Sequence, residues 1–214
     1  MPVLIPVLGA ALGSLAGAFA ARFSGKEPAR FVLPGAALGP LVLRGLLPGA
    51  GLASLVWAGC LTFLVLASAL TDIACRRIPD CLTLTGLAAG FLSAFIAGLG
   101  SGQGSTASFS LAFRDCLLGA LSLGGMLWLS GLIAGGLGGG DVKLGFALGA
   151  FLGWAGALLA LLFASAAAAL WAIALLALGR ARPGDGIPFG PYLALGAVLA
   201  VYLGPRLLAW LAGI

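Results

Sequence analysis

The chain has no histidine, no C-x-x-C pair among its four cysteines, and charge on only 8% of its 214 residues. Each scarcity removes a kind of chemistry. Without histidine there is no Ser-His or Cys-His nucleophile and no His-ligated metal. Cys60, Cys75, Cys81 and Cys116 lack the spacing of a zinc or redox motif. A soluble domain covers its surface with about 25% charged residues. This chain is instead 62% hydrophobic with a mean hydropathy of +1.19, which excludes a soluble globular protein. Its 36 glycines fit the higher glycine use of membrane helices. The expected fold is all-α: a polytopic transmembrane helix bundle of roughly 6–8 spans. It forms a single transmembrane domain over residues 1–214, with no room for a large soluble one.

Eleven bases and six acids give a net charge of +5. The bases gather in short loops, so the surplus marks topology and not a nucleic-acid footprint. The apolar stretches predict spans over 3–21, 52–70, 82–99, 117–133, 154–178 and 187–212, with a short helix over 142–152. The first run lacks a basic n-region and is too long for a signal peptide, so it reads as a retained span. Residues 31–47 are apolar but carry Pro34, Pro40 and Arg44. A broken span, a re-entrant piece and an interfacial helix all fit. Crossing is preferred, because it keeps Arg22, Lys26 and Arg30 on the same side as the later basic loops. Pro48–Gly51 reads as a turn and 100–110, rich in Gly and Ser, as a loop. Placing Arg76, Arg77, Arg180 and Arg182 in the cytoplasm puts Asp72, Asp141 and the 179–186 loop on that one face.

An acid in or at the edge of a span is a functional hypothesis by default. Asp72 ends an apolar span, and Arg76 lies four residues on. If the helix continues, the two share a face, and a helix-end carboxylate paired with Arg76 is the plain structural reading. Pro79 stops that helix by Ile78, and Asp80 is expected to cap the next one. Asp141 follows a glycine-rich run, where the backbone is free to turn and a substrate chain can come close. A flexible turn with Lys143 snorkelling is the plain alternative. A phosphate cradle is disfavoured, because no G-K-[ST] follows. Asp115 beside Arg114 is expected to cap a span, and Asp185 to sit in a turn. Two carboxylates brought together share one proton, which provides a general base and a general acid. Such a pair activates water against a peptide carbonyl without histidine or metal.

Gly138-Gly139-Gly140-Asp141-Val142-Lys143-Leu144 matches the GxGD motif of the type IV prepilin leader peptidases. Asp72 with Arg76-Arg77-Ile78-Pro79-Asp80 resembles that family's first aspartate motif. Pro188-Phe189-Gly190-Pro191-Tyr192-Leu193-Ala194-Leu195-Gly196 resembles its C-terminal element, and Leu12-Gly13-Ser14 its early segment. The resemblance implies a multi-pass aspartic endopeptidase of the cytoplasmic (inner) membrane. It would remove the basic leader of prepilins or pseudopilins at the cytoplasmic face, with no cofactor and no metal. Asp72 and Asp141 would be the catalytic pair. Lys143 would orient or tune Asp141. Gly138, Gly140, Arg76, Arg77, Pro79 and Asp80 would support the site, and Pro188, Phe189, Gly190 and Pro191 would shape its mouth. The implied partners are a substrate with a basic leader and an apolar N-terminal helix, and the lipid bilayer.

Many family members carry two C-x-x-C pairs in a cytoplasmic insertion and also N-methylate the product. Residues 22–47 here contain no cysteine. The chain therefore looks like a short member, for which a structural zinc is not expected and methyl transfer is not implied. Within that stretch, Leu41-Val42-Leu43-Arg44-Gly45 echoes the family sequence before the second cysteine pair, which pulls against crossing. Two other classes compete. A transporter or channel also uses intramembrane acids, but these acids gather at one edge and no inverted repeat is visible. A presenilin-like protease shares the two aspartates but not the Arg-Arg-Ile-Pro-Asp and Pro-Phe-Gly-Pro elements.

Overall fold

A computed structural model describes residues 4–25, 27, 29–46, 52–100, 106–135, 137–182, 185–211 and 213. It is an all-α membrane bundle of seven helices: α1 Leu4–Ser24, α2 Ala29–Leu46, α3 Leu52–Cys75, α4 Asp80–Gly100, α5 Thr106–Ala134, α6 Gly139–Ala177 and α7 Gly190–Leu211. Among the described residues, five helices are long and apolar enough to cross a membrane: α1, α3, α5, α6 and α7. The α2 and α4 helices carry the shorter apolar stretches Phe31–Pro40 and Asp80–Ile96. The expected turn at Pro48–Gly51 lies outside the described residues, as do Lys26 and positions 101–105 of the expected loop.

Glycine sets the spacing of the N-terminal hairpin. Gly9, Gly13 and Gly17 recur every four residues and so form one stripe on α1. A Cβ at Gly13 would overlap the Gly35 carbonyl, one at Gly9 would lie 2.5 Å from Pro40 Cα, and one at Gly17 would strike the Phe31 backbone. The pairing 9 to 40, 13 to 35 and 17 to 31 makes α2 antiparallel to α1, backbone against backbone. The α2 helix runs through Pro34 and Pro40, so of the three readings left open for 31–47 the broken one does not form. Close packing in membrane bundles tolerates a proline that leaves a carbonyl unbonded.

The 39-residue α6 would span about 58 Å if straight, nearly twice a hydrocarbon core. It is not straight. Gly153 adopts φ 67° and ψ 176°, a conformation glycine reaches without a Cβ penalty. This break falls where the sequence separates 142–152 from 154–178. The first segment runs antiparallel to α5, with Gly149 on the Gly119 carbonyl and Gly124 on Phe146. The second segment packs along α7, with Ala160 and Ala164 against Gly196 and Leu159 against Gly204. It therefore returns toward the end of the bundle where α7 begins.

Asp115 holds this break. It lies inside α5, not at a helix start, because that helix begins at Thr106 within the stretch expected to be loop. Asp115 Oδ1 accepts the Trp154 N–H at 3.1 Å. It thus caps the second segment of α6, so the expected capping chemistry occurs on another helix.

The core lies between these layers. Leu61, Leu64, Leu123, Leu144, Leu148 and Leu193 are fully buried, interleaved with Ala58, Ala147, Ala157, Ala160 and Ala197. Small residues let the helix backbones approach closely, where dispersion and not water exclusion drives association in lipid.

Candidate active site

The carboxylate of Asp72 is set by the end of α3. Thr71 and Ser68 bond back to carbonyls one turn earlier, and Asp72 itself is 5% exposed. The helix stops at Cys75, and Arg76 takes φ 52°. The Arg76 N–H closes the last turn on the Asp72 carbonyl at 2.8 Å, a left-handed cap where glycine is usual. Arg76 therefore leaves the helix, and the expected Asp72–Arg76 pair does not form. Asp72 Oδ2 instead accepts the Gly190 N–H, the first of α7, at 2.9 Å.

Asp141 lies in the first turn of α6, where the helix dipole favours an acid. The glycine run before it has distinct jobs. A Cβ on Gly138 would sit 3.2 Å from Asp141 Oδ2, and one on Gly140 would sit 3.2 Å from Ile78 Cβ. Gly139, the free position of the motif, faces open space. Asp141 Oδ1 is buried and has no hydrogen-bond partner.

The two acids share one cavity of about 270 Å³, lined by Asp72, Arg76, Arg77, Ile78, Asp80, Gly138, Gly139, Gly140 and Asp141. Residues from motifs more than sixty positions apart are thus brought together at the α3–α4 and α5–α6 junctions. Ile78 is buried between them and packs into the main core. The Pro79 carbonyl starts α4 by accepting the Leu82 and Thr83 N–H groups at 3.1 and 3.3 Å.

Two expectations need correction here. Asp80 does not cap α4 with its side chain; its Oδ1 accepts Lys143 Nζ at 2.7 Å. Lys143 accordingly does not pair with Asp141. Two residues along a helix point in different directions, so Lys143 reaches across to α4. The pair is half-exposed, at 50% and 61%, and ties the start of α4 to the start of α6 at the cavity rim. Among the described residues it is the single ion pair, and no three His, Cys, Asp or Glu side chains gather as a metal-holding group.

In the C-terminal element, the Phe189 carbonyl accepts the Tyr192 and Leu193 N–H groups, both at 3.0 Å. Pro191 occupies the first turn of α7, where its missing N–H costs nothing. Pro188 lies half-buried just before the helix. The Asp185 carboxylate accepts the Arg182 N–H at 2.7 Å; Pro183 and Gly184 of the expected turn lie outside the described residues. The one feature sequence reasoning missed is the Gly190–Asp72 bond. No spacing rule links residues 118 positions apart.

This is a multi-pass helical membrane protein whose two best-sheltered acids face one cavity at one end of the bundle. A model of the type IV leader peptidase family matches residues 59–173, more than half of the chain and both aspartate motifs. The chain belongs to that family. It is similar to a prepilin leader peptidase/N-methyltransferase of Burkholderia pseudomallei, 35% identical over 86% of this chain and 58% of the relative. Similar proteins of the same description occur in Aeromonas hydrophila (35% identical, 70% of this chain, 50% of the relative) and Pseudomonas aeruginosa (36%, 68% and 49%). The chain spans about half the length of the curated relatives it matches. No solved structure matches it.

Proposed function

We propose that this chain is an aspartic endopeptidase that removes the basic leader of type IV prepilins or prepilin-like proteins at the cytoplasmic membrane face. The observation that carries the reading is the joint placement of Asp72 and Asp141 on one cavity. A water between two carboxylates gives up a proton to one as its oxygen bonds to the scissile carbonyl carbon. The other carboxyl supplies a proton to the carbonyl oxygen, and the amine leaves protonated. Gly139 faces open space beside the dyad, which leaves room there for an extended chain to approach. Membership of the type IV leader peptidase family, and likeness to prepilin leader peptidases, support a prepilin-like substrate.

Topology supports the cytoplasmic assignment. Arg22, Arg30, Arg76, Arg77, Lys143, Arg180 and Arg182 sit at helix ends or junctions on the side of the cavity, whereas Arg44, Arg114 and Arg206 lie toward the opposite end. Basic residues gather on the cytoplasmic side of membrane proteins. The apolar helix of the substrate then packs against the bundle in the bilayer of the inner membrane, with its basic leader in the cytoplasm. Methyl transfer is not part of this proposal.

The test is cleavage in membranes. The chain is co-expressed with tagged prepilins and pseudopilins, and the leader is followed by gel shift and mass spectrometry. Wild type is expected to cut at a leader–helix junction. Asp72→Asn and Asp141→Asn are each expected to lose at least roughly a hundredfold in rate, while remaining inserted and folded. Normal processing by both variants would refute the aspartic reading.

A further inference from the structure

Resting on the peptidase reading, we infer that the two aspartates have fixed and different roles: Asp72 takes the proton from water, Asp141 gives one, and the Gly190 N–H is the positioning group that sets this order. The two carboxyls are in unlike surroundings. Asp72 Oδ2 holds a backbone donor at 2.9 Å, from the free N-terminal turn of α7. Such a donor, with the positive end of a helix behind it, favours a negatively charged oxygen. Asp141 Oδ1 is buried with no donor, although that carboxyl too sits in the first turn of a helix, with the Gly138 backbone beside its other oxygen. A negative charge left there without a hydrogen bond is costly. A hydroxyl at Asp141 removes that cost and supplies the donor the dyad otherwise lacks. The other charged groups on the cavity are Arg76, Arg77 and Asp80, and Asp80 is held by Lys143.

The step balances. One water proton passes to Asp72 while the water oxygen bonds to the carbonyl carbon, and the Asp141 proton passes to the carbonyl oxygen. On breakdown the Asp72 proton goes to the leaving nitrogen as the C–N bond breaks. One hydroxyl of the intermediate returns its proton to Asp141, forming the carboxylic acid product and restoring the starting pair.

Position 190 is tightly specified. A Cβ there would lie 2.8 Å from Asp72 Oδ2 and 3.1 Å from its Cγ. Residue 190 also precedes Pro191, where helical backbone is disfavoured for any residue with a Cβ. This makes a paired experiment possible. Gly190→Ala adds the Cβ and keeps the N–H, whereas Gly190→Pro adds a similar Cβ and removes the N–H at a position where helices accept proline.

Cleavage kinetics are measured in proteoliposomes across pH for wild type and both variants. In Gly190→Pro, kcat should fall roughly 10–100-fold beyond the alanine variant, with KM little changed. The acidic limb of its kcat–pH profile should move to higher pH by roughly one unit, because the base has lost the donor to its ionised form. Gly190→Ala, whose Cβ also presses on the Asp72 carboxylate, is the reference for that added carbon, and the role of the N–H is read as the shift of Gly190→Pro beyond it. Equal profiles in the two variants, or movement of the alkaline limb, would overturn the assignment.

A second measurement does not depend on how well the proline variant folds. The infrared band of a protonated carboxyl at neutral pH should vanish in Asp141→Asn and persist in Asp72→Asn. The reverse pattern, a band lost in Asp72→Asn and kept in Asp141→Asn, overturns the roles. Failure of wild type to cut any substrate would sink the peptidase reading, whereas cleavage with the wrong profile or the wrong band would sink this inference alone.

Discussion

Removing the Asp115 carboxylate tests whether the break in α6 is held from outside that helix. At Gly153 the helix loses its regular geometry, and the second segment starts afresh with free N–H groups. One of these, on Trp154, is taken by Asp115 Oδ1 at 3.1 Å. Asp115→Ala leaves that donor unmet and removes a negative charge from a helix N-terminus. Loss of such a cap costs about 1–2 kcal/mol. For a chain of this size that is roughly 2–8 °C in Tm. Asp115→Asn keeps an acceptor oxygen of the same reach and loses only the charge, so its cost should stay below about 1 kcal/mol. The assay is thermal unfolding in one detergent, with the two variants run beside wild type. Asp115 lies at the opposite end of α5 from the cavity, so cleavage well below the melting range should be unchanged in both. An asparagine variant as unstable as the alanine one, or a neutral alanine variant, would refute the capping argument.

Two further outcomes follow from the packing. Lys143→Ala should cost under about 1 kcal/mol and leave kcat within a few-fold of wild type, because an exposed pair is weak and salt-screened; a collapse in activity would mean Lys143 acts on the dyad directly. Gly13→Leu should separate α1 from α2, since even a Cβ overlaps the Gly35 carbonyl. The cost should be at least about 1–3 kcal/mol, seen as raised protease sensitivity of the hairpin, and an unaltered melting temperature would contradict it.

Much of the architecture could be read from residue order alone. Apolar runs of span length locate the helices, and Gly153 between two such runs divides α6 where the backbone does break. The shared face of Asp72 and Asp141 followed from counting spans between basic loops. What could not be read was tertiary in origin. Asp115 looked like the cap of its own span because Gly and Ser residues precede it, yet the helix extends back to Thr106, and the donor it meets belongs to another helix. Lys143 looked like a neighbour of Asp141 in the chain, but side-chain direction carries it to Asp80. The reach of the Gly190 N–H to Asp72 depends on how α7 docks on α3. The four-residue glycine spacing on α1, by contrast, is legible in the sequence as a close-packing stripe.

The glycine stripe of α1 also bears on how α2 sits in the membrane. Such a stripe would serve equally well to join two copies of a protein side by side. Here α2 occupies it over its whole length, so that surface is already filled within one molecule. Conversely α2, with two prolines and an arginine, is a poor candidate to settle in lipid alone. It is made immediately after α1, which presents a flat face on which the kink-prone segment can lie. The α1 face thus gives that segment protein, not lipid, to lie against from Phe31 to Pro40.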